Sequence, residues 1–268
     1  MKHLERIAEP MLITADAWRA WLTALEQSRH VEYPDGYKEQ VRGMEIQNGV
    51  AVIPICGTLA MNLDPIEVKY LGMTDMGSVS KEIADAADDP AVHAIVFDID
   101  SGGGTVNGTP ELARQIADVS KPTFAYTATK ACSCAYWIAA AADNLLCSPS
   151  ATVGHVGAVA LHREYTRMLE EGGVTLNTLQ SDPLKTAGSP YVAMTDEQRA
   201  FLQDRVDFAA SQFKAFVTAR RPQIAAEDMQ AQAWWGIQAA ELGYVDALAD
   251  TCAEVITLAG GGEMHQAA

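Results

Sequence analysis

The stretch HAIVFDIDSGGGTV, residues 93–106, opens as an apolar, β-branched run and closes on three consecutive glycines. His93 to Ile99 is too continuously apolar for a strand with one wet face, so it reads as a strand buried on both sides. After the glycines, Thr109 and Pro110 stand as N-cap and first residue of a helix through Asp118. A strand, a glycine loop and a helix in that order make one βα unit.

Working outward, the same pattern repeats. Upstream, Gly49 to Cys56 (GVAVIPIC) is a second buried strand, joined to the first by a helical stretch from Met76 to Asp88 that Pro90 stops. Downstream, a strand at Pro122 to Thr127 leads into Lys130-Ala131-Cys132-Ser133-Cys134-Ala135-Tyr136-Trp137, where a turn of small residues precedes an alanine-rich helix. Short strands fit Asn144 to Cys147, Thr152 to Val153 and Gly157 to Leu161. A helix fits His162 to Glu171, and the alternation in Val174 to Leu179 reads as a strand. A polar loop, Gln180 to Met194, follows. Thr195-Asp196-Glu197-Gln198 is a capping box opening a long amphipathic helix to Arg220, ended by Pro222. Strands alternating with helices imply an α/β fold with a mainly parallel sheet. Residues 1–45 read as a helical extension, 46–258 as the main domain and 259–268 as a frayed tail.

Composition narrows the partners. The 268 residues are 49% hydrophobic and 20% charged, an ordinary globular balance, with a formal net charge of −16. Phosphate recognition needs clustered Lys and Arg, so nucleic acid is not expected. No apolar run reaches the roughly 18 residues of a membrane span, and the charged amino terminus lacks a signal-peptide core. The five cysteines have no paired CxxC spacing, which argues against a disulfide framework or zinc site and fits a reducing, cytoplasmic setting. No metal and no cofactor is expected. Asp98 and Asp100 alternate at a strand end without further His or Glu, and read as loop-capping carboxylates.

Three features point to acyl transfer. Gly102 to Gly104 can present backbone N–H groups to a developing oxyanion, although such glycines also serve plain βα turns. Their spacing lacks both GxGxxG and the Walker lysine and hydroxyl, so phosphate binding is set aside. Ser133, at a strand-to-helix turn, is either a nucleophile with the N–H of Cys134 beside it as oxyanion donor or an N-cap serine. A serine needs a base. Lys185, in Ser181-Asp182-Pro183-Leu184-Lys185-Thr186-Ala187-Gly188, can serve if desolvated; an isolated lysine is otherwise a solvated surface residue. Lys130 is a nearer alternative in sequence. Trp234, Trp235 and Tyr244 read as packing residues.

Those residues carry a resemblance. The segments VAVIPICGTL, HAIVFDIDSGGGTV, KACSCAYWIAAAADNLLCSPSATVGHVGAV, SDPLKTAGSP and WWGIQAAELGYVDAL, spread over roughly residues 48–250, resemble the signal peptide peptidase A family of Ser-Lys peptidases, and within it the phage head-maturation branch. The resemblance implies a ClpP/crotonase-like core of repeated ββα units arranged as a spiral with flanking helices. It implies Ser133 as nucleophile, Lys185 as general base, and Gly103, Gly104 and Cys134 as the oxyanion hole. It further implies a protein or peptide substrate bound as an extended strand, a homo-oligomer of four or more subunits, and phage head proteins as partners. Gly102 replaces the family's usual proline, and Cys132 and Cys134 replace smaller residues. His155 stands where the family usually has serine; it orients the lysine, replaces it as base, or is structural. A Ser133–Lys185 pair within one protomer is the expectation. A soluble bacterial relative, a catalytically silent assembly protein and an enoyl-CoA hydratase-like enzyme using the same oxyanion geometry are the alternatives; a serine-reactive probe separates the silent protein, and a CoA groove would mark the hydratase.

Overall fold

A computed structural model describes residues 43–262 and the backbone of residues 11–13. The strands are β1 (Met11–Ile13), β2 (Glu45–Gln47), β3 (Val50–Ala60), β4 (Thr74–Asp75), β5 (Ala94–Thr105), β6 (Thr123–Thr127), β7 (Lys130–Cys132), β8 (Asn144–Cys147), β9 (Thr152–Gly154), β10 (Ala233–Trp235) and β11 (Ala247–Leu248). The helices are α1 (Pro65–Leu71), α2 (Met76–Asp88), α3 (Thr109–Ala117), α4 (Cys134–Ala139), α5 (Thr166–Glu171), α6 (Asp196–Arg220), α7 (Gly236–Glu241) and α8 (Cys252–Ala259).

Strand pairing shows a repeated ββα unit. β3, β5, β6, β8 and β11 lie side by side in parallel, in that order. The far end of β5 leaves this sheet and pairs through Ser101 with β7, which pairs in parallel with β9 and so with antiparallel β10. Each repeat therefore gives one stretch to the main sheet, one to the smaller sheet, and then a helix. β5 supplies both stretches before α3, and β6 with β7 does so before α4. The α/β class and the ββα repeat expected from the sequence are both present.

β5 is buried on both faces because two apolar layers cover it. Ile95, Phe97 and Ile99 join the large core with Ile83 of α2, Ile116 of α3 and the residues of α4. Ala94 and Val96 face the other way, into a smaller cluster with Val255 of α8. Ala139, which ends α4, and the alanines 140 to 142 that follow it are all buried; their small side chains let this segment run close against its neighbours. The capping box of α6 is made: Gln198 N–H donates to Thr195 Oγ at 3.2 Å, and Thr195 N–H donates to Gln198 Oε1 at 3.2 Å.

Several expectations are corrected. The triple glycine is extended strand, continuous with β5 through Thr105, and pairs with β3 at Gly103 and Gly104. The N-cap of α3 is Gly108, at φ 91°, and not Thr109, whose hydroxyl donates back to the Thr105 carbonyl at 2.8 Å. Gly157–Leu161 is not a strand, the 162–171 helix shrinks to α5, and Val174–Leu179 has no regular secondary structure. Val174 and Leu176 follow the strand period and Leu179 breaks it, and a strand also needs an edge to pair with. The expected helical extension over residues 1–45 lies mostly outside the described residues; within it, Met11–Ile13 is strand β1, antiparallel to Gly103–Thr105.

Candidate active site

The small sheet delivers Ser133 to the end of β7 and α4 begins at the next residue. Such a turn forces the connecting residue out of ordinary backbone space. Ser133 has φ 59° and ψ −127°, a conformation costing a non-glycine residue about 1 to 3 kcal/mol. Two backbone bonds hold it: its N–H donates to the Gly154 carbonyl at 2.8 Å, and its carbonyl accepts from Trp137 N–H at 3.0 Å. The side chain is 0% exposed, and its Oγ has no hydrogen-bond partner. An unpartnered buried hydroxyl is costly, and here it adds to the cost of a strained turn. No cap bond is made by this side chain.

The flanking thiols are not rivals. Burial pushes Cys132 and Cys134 each up to about 12, so both stay protonated at neutral pH and lack the thiolate that attacks. Cys134 N–H is the first of α4 and has no intrahelical acceptor, so the donor next to Ser133 is left free of the helix's own hydrogen bonding.

The glycine strand runs past the same point. Ser101 of β5 pairs with Ala131 of β7, so Gly103 and Ser133 each follow two residues on. Gly103, at φ 113°, donates its N–H to Ser101 Oγ at 3.1 Å, and Ser101 Oγ donates to the Gly57 carbonyl at 2.6 Å. Of the expected donors, Gly103 is thus already engaged. Gly104 packs so tightly on β3 that a Cβ would fall 1.9 Å from the Leu59 carbonyl oxygen. Ser101 was not assigned a role by sequence reasoning; its place immediately before the glycines was the available signal.

His155 is near and Lys185 is not joined. The β7–β9 register pairs Cys132 with Gly154, so the next residues are Ser133 and His155. His155 has φ 58°, and its N–H donates to the Gln232 carbonyl at 2.7 Å. Burial lowers its imidazole below the ordinary value. Lys185 sits in a 3₁₀ turn, Pro183–Thr186, and is exposed. Gln198 Nε2 fastens this turn to α6 through the Pro183 carbonyl at 2.6 Å and Thr186 Oγ at 3.0 Å. No hydrogen bond connects Lys185 to Ser133, so the within-protomer pair is not made here, and the burial that would strip water from the ammonium is absent. Lys130 is also exposed.

A cavity of about 510 Å³ is lined in part by Val106, Pro110, Trp137, Phe201, Phe208 and Ala209, and Ser133 is not in its lining. Val106 directly follows the glycine strand and Trp137 is one turn beyond Ser133. Among the described residues there is no metal-ligating cluster and no helix long and apolar enough to cross a membrane.

Comparison with known proteins yields a family and relatives. The model of Peptidase family S49 matches residues 115–260, a span that contains Ser133, His155 and Lys185. Capsid assembly protease C of Escherichia phage lambda is 32% identical over 81% of this chain and 50% of its own length. Head-tail preconnector protein GP5 of Enterobacteria phage P21 is 31% identical over 68% of this chain and 36% of its own. The chain thus spans half or less of these relatives. A ClpP1 mutant from Listeria monocytogenes superposes with a TM-score of 0.46 at 11% identity, covering 75% of this chain and 92% of that one.

Proposed function

Because the chain belongs to peptidase family S49, we propose that it is a serine endopeptidase acting on protein segments in phage capsid maturation, with Ser133 as nucleophile and Lys185 as general base. The observation that carries this reading is the Ser133 turn: a buried, unpartnered hydroxyl held at φ 59° between a strand and a helix, facing a glycine strand. In the reaction Ser133 Oγ attacks the scissile carbonyl as neutral Lys185 Nζ takes its proton. The N–H groups of Cys134 and Gly104 hold the oxyanion. The proton passes to the leaving amine, and water hydrolyses the acyl-serine by the same relay. Lys185 is delivered, and desolvated, when its exposed segment packs onto the site. The phage relatives support capsid proteins as the substrate class.

The apolar cavity beside Trp137 takes the substrate side chain next to the scissile bond. Self-association belongs to the same reading, since Met168, Val174, Leu176 and Leu179 are exposed within one short stretch of the chain, and clustered exposed apolar side chains are the material of an interaction face.

A second reading, with His155 as base, is favoured by its position next along β9 from the residue paired with Cys132. The test compares Ser133→Ala, Lys185→Ala and His155→Ala for cleavage of an unfolded protein and for covalent labelling by a fluorophosphonate. The proposal expects loss of at least about 1,000-fold for the first two and substantial turnover in His155→Ala. An active Lys185→Ala with a dead His155→Ala transfers the base role to the histidine. Equal rates in all variants remove the peptidase reading.

A further inference from the structure

We infer that the chain's own segment Met11–Ile13 occupies the peptide-binding edge of its active site, making the amino-terminal region an internal competitor of the substrate. The inference rests on the peptidase reading and adds its regulation. β5 beyond Ser101 has two edges. One is filled by β3, which pairs with it at Gly103 and Gly104. The other is the edge that β7 follows as far as Ser101, before β7 turns off at Ser133 into α4. An extended peptide whose carbonyl is to reach Ser133 has this remaining edge of Gly103–Thr105 to pair with, because main-chain pairing is what holds an unstructured segment in line.

In this structure the edge is taken. Ile13 lies opposite Gly103, Leu12 opposite Gly104 and Met11 opposite Thr105, in antiparallel register. The same stretch of β5 carries the oxyanion donor assigned above, so β1 and a substrate would claim the same backbone groups. The state of the nucleophile agrees: Ser133 is 0% exposed and its Oγ meets no partner, as in a site closed to its substrate. An occupant tethered by its own chain acts at an effective concentration on the order of millimolar. A free substrate must outcompete it, which raises KM and leaves kcat untouched once the site is filled.

Proline substitution tests this without removing the segment. In an antiparallel ladder alternate residues aim their N–H groups at the partner, so one of Leu12→Pro and Ile13→Pro removes a ladder bond. The full chain and both variants are compared for the rate of Ser133 labelling by a fluorophosphonate, for kcat and KM on an unfolded protein, and for hydrogen exchange at the amides of Gly103–Thr105. A synthetic peptide AEPMLITAD, residues 8–16, is then added in trans. The expected result is about tenfold faster labelling and a comparably lower KM in at least one variant, kcat unchanged, faster exchange at Gly103–Thr105, and slowing by the peptide. Labelling, KM and exchange all equal to the full chain overturn the inference while the peptidase reading stands. If no chain labels or cleaves, the peptidase reading fails, and exchange alone decides occupancy: faster exchange in a variant upholds it and unchanged exchange refutes it.

Discussion

Ser133 and His155 are neighbours across the small sheet and both sit at positive φ, but they answer to pH differently. The serine is silent over the working range, whereas His155 is held neutral by burial, with its imidazole below the ordinary value of 6.5. The unfolded chain binds a proton there below about 6.5 and the folded chain resists it. The stability this residue contributes is therefore complete above the unfolded value and is lost as pH falls from it toward the lower folded one. Melting temperatures at pH 7.5 and 5.5 should show a larger drop for the natural chain than for His155→Gln; equal drops would mean that another group governs the acid limb. At this scale the sequence was readable where the chemistry is local. Ser133 stood out because a strand, small residues and a helix follow in order. The exposure of Lys185 was not readable, because desolvation is decided by what packs over the residue. Nor was the engagement of Gly103 with Ser101 Oγ, which depends on the backbone torsions of Ser101 and Gly102 and on the Ser101 rotamer.

Among the elements, α4 joins the Ser133 turn to the rest of the molecule. Trp137, one turn after Ser133, stacks face to face on Phe213 of α6, with ring centroids 4.7 Å apart and planes within 1°. Phe213 is completely buried, so Phe213→Ala should cost about 3 to 5 kcal/mol in denaturant unfolding. It should also lower kcat, since the ring that fixes α4 fixes Ser133; a loss below about 1 kcal/mol would show that the cavity collapses around the truncation. Buried strands and capped helices were legible because their signals are local: the continuous apolar run of β5, the Thr195–Gln198 box, the Pro90 stop. Val174–Leu179 was misread for the complementary reason, as strand periodicity is a property of a segment and pairing a property of its surroundings. The triple glycine looked like a loop, and became strand because two neighbouring chains of backbone, β3 and β1, approach it.

For the molecule as a whole, the uneven distribution of apolar surface is the main fact. Most of the core lies in residues 50–156 and 209–259, while Leu179 is 97% exposed, Phe208 66% and Met168 60%. If the exposed segment around Leu179 mediates self-association, Leu179→Glu should shift the sedimentation coefficient toward that of a 28.8 kDa monomer and change the stability by no more than about 0.5 kcal/mol. An unchanged coefficient would place the contact elsewhere. The fold class was legible because strands and helices alternate along the described residues. The role of the amino-terminal region was not, since nothing in MLI announces which edge it joins.

The long helix α6 also has a mechanical meaning. Its 25 residues span about 37 Å, and its grip on the core is confined to one end. There Phe213 and Val217 are buried, and Arg220 donates to the Ala141 carbonyl at 2.6 Å. Its opposite end carries the Lys185 turn, fastened through Gln198. Some 22 Å separates Phe213 from Gln198 at 1.5 Å per residue, so a tilt of about 10° at the anchored end swings the far end by roughly 4 Å. Geometrically, then, such a tilt of α6 about its buried end displaces the Lys185 turn by about the length of a side chain, while the end packed on Trp137 stays nearly in place.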